Sequence, residues 1–137
     1  MKYVVLLRGI NISGKNKIAM SELKNVLESN NYSDVITYLN SGNVILNSNN
    51  SIKHIVDDIK TLIKKNFNLE IPVYAIEHLE LKDILEHKPN WWGTNNKEIY
   101  DNIIFVMPPI SSKDVFESIG EPSKDIDKVE KYNNIIF

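Results

Sequence analysis

A chain of 137 residues, 42% hydrophobic and 25% charged, has the composition of a globular protein with material for one core or two small ones. Its net charge of −2 supplies no general attraction to nucleic acid or anionic lipid, so any basic surface has to be local. The absence of cysteine excludes disulfides and thiolate metal sites and suits a cytoplasmic location.

The amino terminus, MKYVVLLRGINI, holds an apolar run of only four residues before Arg8, too short for a signal-peptide core or a membrane span. Tyr3 to Arg8 reads as a strand. Ser21 is the expected cap of a first helix, with Glu22 favouring its positive end and Met20, Leu23, Val26 and Leu27 on one face. Asn30 and Asn31 are expected to end it in a left-handed turn. DVITYL and NVILN are two strands joined by NSG. Ser51 caps a second helix, whose apolar period through Ile52, Ile55, Val56, Ile59, Leu62 and Ile63 is the strongest in the chain. IPVYAI follows as a strand, and Pro72 near its start suits a sheet edge.

The order β-α-β-β-α-β is that of a ferredoxin-like α+β unit, predicted over residues 1–77, with an antiparallel sheet and both helices on one face. Val4 and Leu6 point away from Val5 and Leu7, and Ile36, Tyr38 and Ile45 join the second face. The sheet is therefore expected to be covered on both sides.

Residues 78–137 read as a smaller α+β unit packed on the first. Leu79, Leu81, Ile84 and Leu85 mark a short helix. NIIFVMPP is a strand, and SSKDVFESIG a helix with Ser112 as cap and Gly120 as terminator. DKVEKYNNIIF is a hairpin turning at Asn133-Asn134. The chain stops at Phe137 inside an apolar run, which reads as a shortened end with an unpaired edge. That edge is expected to lower stability relative to a longer parent or to drive self-association.

Chemistry-bearing residues concentrate in GINISGKN. Gly9, Gly14 and Lys15 fall in the register of a phosphate-binding P-loop, but Asn16 replaces the hydroxyl that would hold Mg²⁺. The predicted topology brings this loop beside the NSGN hairpin. Arg8, Gly9, Asn11, Gly14, Lys15, Asn16, Ser41, Gly42 and Asn43 then form a candidate site for a small anion or a phosphate-containing ligand, with Ser13 and Lys17 nearby. Arg8, the only arginine, is expected to be bonded into that junction. The plainer reading is that the glycines serve turns and the lysines are solvated. An interaction module using the sheet face is the alternative function.

Other chemistries lack parts. His54, His78 and His87 do not fall at metal-ligand spacing, Asp57 and Asp58 are adjacent on a helix and so cannot face a common substrate, and Ser41 has no traceable base. No metal, cofactor or reaction is assigned. RNA binding is disfavoured, because SGNVILN carries no aromatic residue for stacking. Trp91 and Trp92 suit a packing plug better than a stacking platform.

LLRGINISGKNKIAMSELK together with TYLNSGNVIL resembles the bacterial family known as domain of unknown function 1697. The resemblance implies two small α+β units, the first ferredoxin-like, and no assigned reaction. It implies recurrent residues at Arg8, Gly9, Asn11, Gly14, Asn16, Ser41, Gly42 and Asn43. It also implies a further segment beyond Phe137 with an Arg-Asn-x-x-Thr motif.

Overall fold

Alternate side chains of β1 (Lys2–Leu7) enter two environments: Tyr3, Val5 and Leu7 are buried, whereas Val4 and Leu6 are half-buried. That division organises the computed structural model, which describes residues 1–94, 101–107, 110–119 and 128–137. The chain forms two compact units, Met1–Leu81 and Lys82–Phe137.

In the first unit β1 is followed by α1 (Met20–Glu28), β2 (Ser33–Tyr38), β3 (Asn43–Asn47), α2 (Ile52–Phe67) and β4 (Val73–Glu77). The strands pair antiparallel in the order β2-β3-β1-β4. This is the α+β arrangement that the element order predicted. Tyr3, Val5, Val44, Leu46 and Val73 share one core with Leu23, Leu27, Ile55, Ile59 and Ile63 of the helices. Burying each such side chain contributes about 1.5–3 kcal/mol, which outweighs the modest helix propensity of the β-branched residues in α2.

The local signals in α2 hold. Ser51 accepts from the His54 amide at 3.2 Å, and the helix ends at Asn68 with φ 55°. Pro72 directly precedes β4, which lies at a sheet edge and so needs no full set of ladder donors. The first helix differs from expectation. It starts at Met20 with Ala19 in the capping position and no side-chain cap, so Ser21 is already helical. Burial of Ile18 and Met20 sets the entry of the chain, and this outweighs the local preference of serine.

The opposite sheet face aligns Ile36 with Ile45, Ile45 with Val4, and Val4 with Ile76. Its β2 side is open, with Ile36 57% and Tyr38 64% exposed.

The second unit contains most of α3 (His78–Glu86), with β5 (Ile104–Phe105), α4 (Ser112–Ile119), β6 (Lys131–Tyr132) and β7 (Ile135–Ile136). Ser111, not Ser112, caps α4, accepting from the Asp114 amide at 3.1 Å. Ser112 is buried, and its hydroxyl donates to the Asn133 carbonyl at 2.8 Å. Gly120 and the two prolines after Met107 lie outside the described residues.

The expected turn at Asn133-Asn134 is present, with Tyr132 opposite Ile135. The expectation of an unpaired terminal edge is corrected. The sheet order is β5-β7-β6, so the last strand is central and paired on both sides. Phe137 continues the pairing, with its amide 2.8 Å from the Glu130 carbonyl. Trp92 packs edge-on against Phe137 at 5.4 Å between ring centroids and donates to the Asn102 carbonyl at 2.8 Å.

Candidate functional site

The end of β1 is fastened on both sides. The Leu7 amide donates to the Gly42 carbonyl at 2.8 Å, and the Arg8 amide to the Pro72 carbonyl at 3.1 Å. The first contact requires glycine. Gly42 has φ 96°, and a β-carbon there would stand 2.7 Å from the Leu7 Cβ and 3.1 Å from its carbonyl oxygen.

Beyond Arg8 the backbone turns through five left-handed residues, Gly9, Asn11, Ser13, Gly14 and Asn16. Asparagine tolerates that region better than most side chains, which is why an Asn-Gly-rich stretch can fold this tightly. Lys15 donates to the Ile12 carbonyl at 2.8 Å, and Asn11 to the Asn16 carbonyl at 3.0 Å. The Asn16 amide group reaches back to the Gly9 carbonyl at 3.0 Å.

Asn11 joins this loop to the hairpin between β2 and β3. Its Oδ1 accepts from the Ile18 amide at 2.8 Å, while Nδ2 donates to the carbonyls of Ile18 at 2.9 Å and Asn40 at 2.7 Å. Asn43 closes the hairpin from within, donating to the Tyr38 carbonyl and the Ser41 hydroxyl. The two polar stretches singled out in the sequence are therefore neighbours in space.

The role expected of Arg8 is corrected. Its side chain is exposed and makes no ion pair or hydrogen bond among the described residues, and Asn11 ties the junction instead. The short Asn11 amide fits between the two backbone segments. Lys15 and Lys17 are likewise exposed without ion pairs among the described residues. A depression of about 430 Å³ lies at this junction, lined by Asn11, Gly14, Lys17, Ile18, Ala19 and Asn40. Ala19, in the capping position of α1, and one of the lysines, Lys17, are part of that lining.

The loop does not have the arrangement of a P-loop. The Asn11 and Lys15 amides are used within the loop, and α1 begins at Met20, after Lys15 by more than a helical turn. Among the described residues no group of three His, Asp or Glu side chains could hold a metal ion. No helix among them is long and apolar enough to cross a membrane.

Asp57 and Asp58 do not act alike. Asp57 is exposed, while Asp58 accepts a 2.6 Å bond from the buried Tyr32 hydroxyl. Burial, together with that carboxylate, pushes the Tyr32 phenol well above its usual pKa.

One cluster was missed in the sequence. His87 Nδ1 donates to the Asp83 carbonyl at 2.8 Å, and its ring stacks on Tyr132 at 4.8 Å. The Tyr132 hydroxyl donates to Asp83 Oδ2 at 3.0 Å. The helical spacing of Asp83 and His87 was a visible signal, but nothing local pointed to Tyr132.

A solved structure of the conserved bacterial protein SP0830 from Streptococcus pneumoniae is similar to this chain, with a TM-score of 0.80 and 24% sequence identity. The likeness covers 98% of this chain and 74% of that one, and it speaks to the fold alone. Among the curated proteins none matches. The family model described as "Protein of unknown function (DUF1697)" matches residues 1–137, and the chain belongs to that family.

Proposed function

We propose that the junction of the β1–α1 loop with the β2–β3 hairpin binds a small anion, most simply the phosphate of a phosphate-containing metabolite. The observation that carries this reading is the capping position of α1, Ala19, which makes no side-chain cap and lines the same depression as Lys17. The first amides of a helix have no partner within it, and the helix dipole adds positive potential at the same place. Arg8 and Lys15 add charge from the same loop, and neither is committed to a carboxylate among the described residues. Glu22, in the first turn, opposes them.

Titration with inorganic phosphate, followed by backbone amide resonances, tests the reading. Shifts at Gly14, Lys17 and Met20 are expected, weakened by Lys17→Gln and strengthened by Glu22→Gln. ATP with Mg²⁺ is expected to bind no better than phosphate, because Asn16 offers no hydroxyl to the metal. Shifts elsewhere, or shifts indifferent to Lys17→Gln, would remove the proposal.

The alternative, an interaction through the sheet face, draws support from Ile36, Tyr38 and Leu39, which are 57%, 64% and 64% exposed. Protection of these three side chains when a protein or nucleic-acid partner is added would favour it. No reaction is proposed.

A further inference from the structure

A larger depression in the first unit lies where α2 ends, with a volume of about 640 Å³. Two apolar residues of the segment entering β4 line it, Ile71, which is buried, and Pro72, whose ring is exposed. Three lysines line it, Lys60, Lys64 and Lys65, with one acidic residue, Glu70. Glu70 stands 3.7 Å from Lys64, with side chains 86% and 53% exposed. A surface pair of that kind contributes at most about 1 kcal/mol. Lys60 and Lys65 have no ion pair among the described residues.

Lys64 and Lys65 sit in the last turn of α2, where cations complement the helix dipole. That does not account for Lys60. It lies one turn earlier on the same ridge as Lys64, where like charges repel by about 0.2–0.5 kcal/mol. An anion at this place relieves the repulsion, and the apolar wall rewards a ligand that carries hydrocarbon as well.

We infer that this cleft binds an amphiphilic anion. Its carboxylate or phosphate head lies among Lys60, Lys64 and Lys65, and a short apolar chain covers the exposed Pro72 ring and the lysine methylenes beside the edge of Ile71. Neither part suffices alone. A bare anion leaves the apolar wall wet, and a neutral hydrocarbon leaves the lysines unpaired. The lining of this cleft shares no residue with that of the depression at the loop junction, although the Arg8 amide donates to the Pro72 carbonyl, and the inference does not depend on the proposal made above.

The test titrates the whole chain, followed by amide resonances, with decyl phosphate, decanoate, decanol, inorganic phosphate and phosphatidylglycerol vesicles. Decyl phosphate and decanoate are expected to move the amides of Thr61, Lys65 and Ile71 with Kd below about 1 mM. The double substitution Lys60→Gln and Lys65→Gln is expected to weaken both by at least about fivefold, with the rest of the spectrum unchanged. The inference is overturned if decanol binds as tightly, or if inorganic phosphate binds there as well as decyl phosphate does. Binding to vesicles without binding to the monomeric amphiphiles also overturns it. Shifts confined to residues 11–20 overturn it as well, while reporting on the other junction.

Discussion

Asn11 and Gly42 carry the local architecture of the candidate junction, and each does so for a different reason. Asn11 is a polar staple between two backbone segments. Asn11→Ala leaves the Ile18 amide and two carbonyls without their partners, at an expected cost of about 2 kcal/mol in urea unfolding. Gly42 is a question of space. Gly42→Ala combines an unfavourable φ with a β-carbon 2.7 Å from the Leu7 Cβ, and is expected to cost about 2–3 kcal/mol. Gly9→Ala has nothing within 4 Å of the new atom and meets only the φ penalty, about 1 kcal/mol. Equal losses at both glycines would contradict the close approach of hairpin and strand.

At the scale of elements, two serines that look alike in the sequence have different duties. Ser51 caps α2 with a hydrogen bond, whereas Ser21 lies inside α1 and is exposed. Ser51→Ala is expected to destabilise by about 1 kcal/mol, and Ser21→Ala to change stability by no more than about 0.5 kcal/mol. Thermal melts of the two variants side by side decide the point. The period of α2 was legible because one apolar stripe faces one sheet, so spacing along the chain reports directly on burial. The start of α1 was not. It depends on Ile18 and Met20 reaching a core assembled from strands distant in sequence.

At the scale of the molecule, the end of the chain is interior to a sheet. Ile136 is 1% exposed between β5 and β6. Ile136→Asp places a carboxylate there, and an expected loss of about 3 kcal/mol or more would be read as faster hydrogen exchange at the Val106 and Phe137 amides. Stability also responds to alkali. Burial, with the Glu80 charge adding to it, raises the Tyr74 phenol from 10.0 to about 12. Above pH 10 the unfolded chain releases this proton while the folded chain retains it. The contribution of Tyr74 is therefore complete below pH 10 and is lost as pH rises toward about 12. Urea midpoints for the wild type and Tyr74→Phe should fall by different amounts over that window, with the smaller fall in the variant.

The sequence by itself determined the features that depend on near neighbours: the element order, the amphipathic face of α2, the Ser51 cap, the Asn133-Asn134 turn and the edge position signalled by Pro72. Each arises from a period, a capping oxygen or a backbone preference acting over a few residues. Topology also brought the two polar stretches of the candidate junction together, because antiparallel pairing of β1 with β3 follows from the element order. Only the tertiary structure decided which side chain holds that junction, since Asn40 and Ile18 lie beside Asn11 in space and apart from it in the chain. It also decided that β7 is flanked on both sides, because a strand takes its partners from the sheet, whatever its position along the chain.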